Sequence, residues 1–167
     1  QKFGVTISRK GYDTFHIEAG QTYQARNFVI EGDWSGAAFL LVAGALNGTV
    51  TVENISMQSC QADKAIIDAL RMAGAQIEIG NSYITVSHAQ LNAFNFDATE
   101  CPDLFPPLVS LAAHCTGNTH ILGVSRLAHK ESNRALVLQK EFAKIGTTID
   151  VQGDEMIICG GTVQGGT

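Results

Sequence analysis

Hydrophobic and polar residues alternate in three hairpin-like stretches, which begin at Phe3, Ala73 and Ile145. In each stretch a glycine is followed by an alternating segment, a short turn and a second alternating segment, which predicts two paired strands. The three glycines lie 70 and 72 positions apart and are Gly4, Gly74 and Gly146. Self-similarity at a fixed period predicts a repeated supersecondary unit. The turn pairs Gly80-Asn81 and Gly153-Asp154 suit hairpins, because glycine adopts positive φ freely.

Helical periodicity precedes the second and third of these hairpins. Residues 65–75 place Ile66, Leu70 and Met72 on one broad face. Residues 134–146 place a similar apolar set on one face: Ala135, Leu136, Leu138, Phe142 and Ile145. Each run ends at its glycine, which is a common residue at a helix C-terminus. Both helices are therefore predicted to be amphipathic and half-buried.

Each amphipathic helix is preceded by a strand, a strongly apolar helix and a further strand. The strands next to the amphipathic helices are β-branched runs at residues 49–55 and 119–124. The apolar helices begin at Ser35 and Asp103, and the outer strands occupy residues 28–32 and 93–97. Because these helices are apolar on nearly all sides, we expect neighbouring elements to enclose them.

The repeated order is β-α-β-α-β-β, which predicts an α/β protein built from two-layer units. Residues 27–92 and residues 93–167 each make one unit, and residues 1–26 make the hairpin tail of a preceding unit. An isolated two-stranded hairpin is only marginally stable. We therefore expect the chain to be a fragment of a longer repeat protein.

Composition limits the kinds of partner. The chain has 167 residues, 45% of them hydrophobic, which is enough for one domain or two small domains that share a core. The 11 Lys and Arg residues against 16 Asp and Glu residues give a net charge of −5, which argues against a nucleic-acid or anionic-membrane surface. No apolar run approaches the ~20 residues of a spanning helix. We expect a soluble protein with local binding sites for small molecules.

Cysteine and histidine spacing gives no metal signature. The four cysteines, 41, 14 and 44 positions apart, match neither a zinc knuckle nor a dense disulfide framework. No two of the five histidines have the i, i+4 spacing of a helical zinc site. We predict reduced, buried thiols and no metal. Cys115 beside His114 lies in an apolar run and is predicted to pack in the core.

Cations concentrate in the segment "RLAHKESNRA", which contains Arg126, His129, Lys130 and Arg134 around Glu131. If a helix begins near Ser132 as N-cap, the cations lie close to free backbone N–H groups at the positive end of the helix dipole, where a phosphate or carboxylate is stabilised. The alternative is an ordinary surface ion pair between Glu131 and Arg134, worth only ~0.5 kcal/mol.

A second candidate, "ECPDLFPPLV", stands at the first helix entrance of the same unit. Asp103 can be explained as a helix N-cap before Pro106 and Pro107. The alternative is that a carboxylate at one entrance and a Lys-Glu-Arg cluster at the other perform acid–base work on an anionic substrate. In the other unit the equivalent places hold Ser35 and Asp63, which are predicted to be caps.

The segments "RLAHKESNRA", "CPDLFPPLVSLAA" and "VIEGDWSGAAFLLVAGAL" closely resemble the 5-enolpyruvylshikimate-3-phosphate synthase family, in order along essentially the whole chain. The resemblance implies the enolpyruvyl transferase inside-out α/β barrel, with six units in two lobes, of which this chain is the middle-to-late third. It also implies a cytoplasmic transferase of aromatic amino acid biosynthesis that needs no metal or organic cofactor. We expect a monomer whose substrates are shikimate-3-phosphate and phosphoenolpyruvate.

The resemblance assigns a role to each candidate residue. Asp103 contacts shikimate-3-phosphate and helps deprotonate its attacking hydroxyl, and Lys130 lies between the two substrates. Glu131 protonates the methylene carbon of phosphoenolpyruvate, and Arg134 holds the anionic groups of that substrate. Arg126 is a further candidate for substrate binding.

Two residues depart from the family pattern, and two alternative functions stay open. Asn133 stands where the family usually has Asp, and Ala128 where Arg is common. Other groups that the family uses lie outside this stretch, so we expect the isolated chain to be inactive. A related family transfers enolpyruvyl to a UDP-sugar, but "HKESNR" with a separate "CPD" favours the shikimate branch. The other alternative is a noncatalytic repeat module for protein binding.

Overall fold

A computed structural model describes residues 2–128 and 133–165. The chain divides into two compact units, Gln1–Ile30 and Glu31–Thr167. The first unit contains strands β1 (Ile7–Lys10) and β2 (Thr14–Ile17), which pair antiparallel with Ile7 opposite Ile17. The side chain of Gln21 accepts from the Thr6 N–H at 2.7 Å and donates to the Thr6 carbonyl at 3.1 Å. These bonds tie the exit of the hairpin to its entrance.

The larger unit begins with a three-stranded antiparallel sheet and two helices. Their order is α1 (Trp34–Leu46), β3 (Thr49–Glu53), α2 (Ile66–Ala73), β4 (Gln76–Ile79) and β5 (Tyr83–Ser87), with a 3₁₀ helix at Ala62–Ala65 leading into α2. The sheet order is β3-β5-β4. Alternation in β5 buries Ile84 and Val86 beneath α1, which packs on β3 and β5.

The second half of this unit repeats the arrangement with a four-stranded sheet of order β6-β7-β9-β8. The elements are β6 (Asn95–Asp97), α3 (Phe105–Ala113), β7 (Gly117–Leu122), α4 (Arg134–Ala143), β8 (Thr148–Gln152) and β9 (Glu155–Gly160). Strands β6 and β7 are parallel, whereas β9 runs antiparallel to both β7 and β8. A 3₁₀ helix, Pro102–Leu104, precedes α3, and another, Val124–Leu127, follows β7.

One core joins the two halves. Helix α1 packs on the first sheet, α3 packs on β9 of the second sheet, and the two helices contact each other. The largest fully buried side chains of both halves therefore belong to one cluster, which includes Trp34, Leu41, Leu70, Phe105, Leu108 and Ile121. The predicted α/β class is confirmed, and all four helices lie where the periodicity predicts them. No helix in the described part of the chain has the length and apolar character needed to cross a membrane.

The three repeated glycines all adopt the left-handed backbone, which glycine takes without a Cβ clash. Gly4, Gly74 and Gly146 have φ values of 80°, 94° and 81°. The N–H of Gly74 donates to the Arg71 carbonyl, so it closes α2 in the expected way. Both predicted hairpins form, and Gly153 has positive φ, but the expectation of positive φ at Gly80 is wrong. A Cβ at Gly80 would lie 2.1 Å from the Tyr83 ring, so close approach of that ring explains the glycine.

The strand predicted at residues 28–32 is absent. Phe28, Val29 and Ile30 are exposed, and the Gly32 N–H donates to the Asn54 carbonyl at 2.7 Å. In the second half the equivalent strand β6 forms a parallel ladder with β7. The two segments differ in pattern, because Phe28, Val29 and Ile30 form a continuous apolar run, whereas β6 alternates and buries Phe96 between the exposed Asn95 and Asp97.

Several residues predicted to be buried are exposed. Met72 and Leu136 are exposed because each lies two positions from a buried leucine, on the other side of its helix. Helix α1 was expected to be enclosed, yet an apolar stripe of Gly36, Phe39, Leu40 and Ala43 is exposed. Helix α3, in contrast, is buried or half-buried from Phe105 to Ala113.

Candidate active site

Two helix entrances of the second half meet through an ion pair. Asp103 lies in the 3₁₀ helix Pro102–Leu104, which leads directly into α3, and Arg134 is the first residue of α4. Arg134 Nη1 donates to Asp103 Oδ1 at 2.8 Å. The side chains are 31% and 46% exposed, respectively, so both charges remain accessible to a ligand. The structure therefore brings together one predicted proton acceptor and one predicted anion-binding residue.

Buried neighbours hold Asp103 at the surface. Leu104 and Phe105 are fully buried, Cys101 is buried, and the Leu104 N–H donates to the Cys101 carbonyl at 3.0 Å. The interpretation of Asp103 as an N-cap is wrong, because Leu104 precedes α3 and no side chain caps this helix. Pro106 and Pro107 stand in the first turn, as predicted, where missing N–H groups leave no helix bond unmade.

Asn133 sets the start of α4. Its Oδ1 accepts from the Leu136 N–H at 3.3 Å, and this places Arg134 at the first helical position. The helix thus begins near Ser132, as predicted, but its N-cap is Asn133. Sequence reasoning treated Asn133 as a minor departure from the family pattern and missed its capping role. Asparagine is among the best N-cap residues, so the signal was available in the sequence.

Lys130 and Glu131 lie outside the described residues, as do His129 and Ser132. Their predicted roles stay predictions. Arg126 is exposed in the 3₁₀ helix Val124–Leu127, which packs against Pro102–Leu104. Among residues 2–128 and 133–165, no ion pair involves Arg126. The structure thus places Arg126 on a neighbouring element without joining it to Asp103 or Arg134.

In the first half of the larger unit, the equivalent helix entrances are joined by a hydrogen bond instead of an ion pair. Asp33 caps α1 by accepting from the N–H groups of Ser35 and Gly36 at 3.2 and 2.9 Å. The hydroxyl of Ser35 donates to Asp63, which is buried in the 3₁₀ helix before α2. Ser35 and Asp63 therefore bond to each other, and the prediction that they are caps is wrong. Lys64 there donates to the Met57 and Ser59 carbonyls at 3.3 and 2.6 Å.

The cysteine thiols supply no nucleophile near this ion pair. Burial raises the pKa of Cys115 to about 12, and its thiol donates to the Leu111 carbonyl at 3.3 Å, which confirms the predicted core position. Burial, with smaller contributions from the carboxylates of Asp63, Asp97 and Glu100, raises the pKa of Cys101 to about 11. All four thiols are free, but Cys60 and Cys159 are exposed instead of buried.

The fold is that of the enolpyruvyl transferases. The structure superposes on the EPSP synthase from Acinetobacter baumannii with a TM-score of 0.79 and 24% identity, over 95% of this chain and 38% of that one. It superposes on the enolpyruvyl transferase NikO from Streptomyces tendae with a TM-score of 0.69 and 17% identity, over 95% and 38%. At these identities the likeness shows the fold alone.

The family model described as EPSP synthase (3-phosphoshikimate 1-carboxyvinyltransferase) matches residues 1–167, and the chain belongs to this family. The 3-phosphoshikimate 1-carboxyvinyltransferase of Clostridium novyi (strain NT) is 39% identical over 160 residues, which are 96% of this chain and 37% of that protein. The enzyme of the same name from Clostridium botulinum (strain Eklund 17B / Type B) is 37% identical over 166 residues, or 98% and 38%. The chain spans just over a third of these relatives' length.

Proposed function

We propose that this chain is part of an enzyme that transfers the enolpyruvyl group of phosphoenolpyruvate to shikimate-3-phosphate and releases phosphate. The observation that carries the proposal is the contact between Asp103 and Arg134, which joins two helix entrances into one accessible site. Family membership over residues 1–167 supports the same reaction.

The chemistry needs a proton acceptor, a proton donor and cations for two anionic substrates. Asp103 is the acceptor for the proton of the attacking hydroxyl, whose oxygen bonds to the central carbon of phosphoenolpyruvate. Glu131 gives a proton to the methylene carbon, so that a tetrahedral ketal forms. Loss of phosphate and return of a proton from the new methyl group then restore the carbon–carbon double bond. Arg134 and Lys130 balance the negative charge throughout.

Chain connectivity supports the grouping of these residues. Glu131 is three positions before Arg134 and Lys130 is four positions before it. Because these residues are so close in sequence, we expect all three to serve one site. Arg126 is a candidate for a further contact with a substrate phosphate, since its short helix packs beside that of Asp103.

We propose a location for the enzyme from the chemistry of its substrates. Two phosphorylated molecules do not cross a bilayer unaided, which favours a cytoplasmic enzyme. The net charge of −5 disfavours nucleic acid as a partner. We expect the full-length protein to be monomeric, and light scattering at micromolar concentration would measure this.

The proposed reaction is tested in a full-length protein. In a chimera, the matching 160 residues of the Clostridium novyi relative are replaced by those of this chain. Phosphate release should require both phosphoenolpyruvate and shikimate-3-phosphate, and Glu131→Gln should lower it at least about 100-fold. Asp68→Asn, in an exposed pair on α2, is the control and should leave turnover unchanged.

Three results would count against the proposal. A folded chimera that releases no phosphate would contradict it, as would full turnover in Glu131→Gln. Saturable binding of a UDP-sugar without binding of shikimate-3-phosphate would favour the related UDP-sugar transferases instead. The chain alone is expected to be inactive, because its relatives are more than twice as long.

A further inference from the structure

We propose that the Asp103–Arg134 ion pair is an exchangeable latch that couples the two substrates, an inference that rests on the proposed function. An anion that binds Arg134 competes with the Asp103 carboxylate, and a hydroxyl that engages Asp103 weakens the hold of this carboxylate on the guanidinium. Each substrate therefore prepares the residue that the other needs. The pair forms before either substrate arrives, with Nη1 and Oδ1 2.8 Å apart.

The partial exposure of both side chains makes exchange possible. At 31% and 46% exposed, Arg134 and Asp103 are solvated even while paired, so separating them does not leave a charge buried in an apolar environment. Exposed pairs of this kind change an equilibrium by about 2- to 5-fold. A phosphate or carboxylate ligand with two negatively charged oxygens is a stronger partner for a guanidinium than one aspartate oxygen.

Pairing also restrains the chemistry until the site is filled. A carboxylate beside a guanidinium is a weaker proton acceptor, because the cation stabilises its charged form. When the anionic substrate takes the guanidinium, the Asp103 carboxylate loses this one contact, and its Oδ1 can accept a hydrogen bond from the hydroxyl. Linkage makes the effect reciprocal, so the acceptor substrate must strengthen binding of the donor by the same factor.

The competing explanation is a structural link. The first half of the unit joins its two helix entrances through Ser35 and Asp63, and Asp63 is buried. A side-chain contact between two helix entrances can therefore serve only to hold the two helices together. If the Asp103–Arg134 pair had only that role, removing the carboxylate would lower stability and leave anion binding unchanged.

Phosphate titration of the 167-residue chain separates these explanations. Inorganic phosphate is added while backbone amide resonances of residues 133–136 are followed by NMR. Asp103→Asn should tighten phosphate binding about 2- to 5-fold, since the competing carboxylate is gone. Arg134→Gln should weaken it at least about tenfold. In the Arg134→Gln background, Asp103→Asn should have no further effect on phosphate affinity.

Two controls isolate the ion pair from general effects. Glu100→Gln removes an exposed negative charge three positions from Asp103 and should tighten phosphate binding less than Asp103→Asn does. Asp63→Asn removes the equivalent bridge in the first half and should leave the affinity unchanged. Thermal unfolding of every variant shows whether it is folded at the temperature of the titration.

Each outcome has one meaning. Equal phosphate affinity in the wild type and Asp103→Asn, with weaker binding in Arg134→Gln, overturns the latch but leaves the proposed site intact. Equal affinity in the wild type and Arg134→Gln overturns the proposed site as well. The latch is also overturned if neither the wild type nor Asp103→Asn binds phosphate detectably. If Glu100→Gln tightens phosphate binding as much as Asp103→Asn does, the gain is a general effect of charge, and the latch is overturned too.

Discussion

At the scale of single residues, Asp103 shows that a side chain's role depends on a partner far away in sequence. Local rules give it an N-cap role, yet its carboxylate binds Arg134, 31 positions along the chain. The sequence nominates both residues, because each stands at a helix entrance. It does not predict their contact, since no local pattern records which entrances meet in space.

Thiol reactivity provides a prediction at this scale. Cys60 and Cys159 are exposed, whereas Cys101 and Cys115 are buried and burial raises their pKa values to about 11 and 12. Both buried thiols therefore stay protonated up to about pH 9 and react slowly with a disulfide reagent. We expect two fast thiols at pH 8 in the native protein and four after denaturation, as measured by absorbance.

Single substitutions check the assignment of the two fast thiols. Cys60→Ser and Cys159→Ser should each remove one fast thiol, and Cys115→Ala should remove none. A third fast thiol in the native protein would contradict the burial of Cys101 or Cys115.

At the scale of elements, periodicity predicts where helices lie better than where strands form. Helices α1 to α4 all begin within two residues of their predicted starts, because a helix satisfies its own backbone bonds. The strand prediction fails at residues 28–32, which lack the alternation of polar and apolar residues that β6 has. The exposed Met72 and Leu136 show a second limit, since a broad apolar pattern does not fix the edge of the buried face.

The start of helix α4 is expected to depend on Asn133. Asn133→Ala removes the oxygen that accepts from the Leu136 N–H and should lower the free energy of unfolding by about 1 kcal/mol. Asn133→Asp keeps the acceptor and adds a negative charge at the positive end of the helix dipole, so it should be neutral or stabilising. Urea unfolding measures both variants. Equal stability of the alanine variant and the wild type would contradict the cap.

The junction of β9 with α3 should tolerate only glycine at position 160. A Cβ there would lie 2.2 Å from the Cys115 carbonyl oxygen and 2.3 Å from that of Ala112, and backbone atoms cannot move aside easily. Gly160→Ala should therefore destabilise the protein by about 2 kcal/mol or more in urea unfolding. Gly165→Ala, with nothing within 4 Å of its Cβ, is the control and should have little effect.

At the scale of the whole molecule, the repeat in the sequence predicts the order of elements and identifies the equivalent helix entrances. The structure shows that both halves link these entrances, through Ser35 and Asp63 in one and through Asp103 and Arg134 in the other. The repeat alone does not predict this, because the aspartate stands at the second helix entrance in the first half and at the first entrance in the second half, and its partner is a hydroxyl in one and a guanidinium in the other. Only the pair in the second half combines a carboxylate with an accessible cation, which fits a site for an anionic substrate.

The central claim is that the entrances of α3 and α4 form the substrate site, and Arg134→Gln in the full-length chimera tests it most directly. The value of kcat/KM for phosphoenolpyruvate should fall at least about tenfold, since a charge-assisted contact with the substrate is lost. Arg71→Gln, which breaks the exposed ion pair with Asp68 on α2, should leave this value within twofold of the wild type. An Arg134→Gln chimera as active as the Arg71→Gln control would contradict the claim.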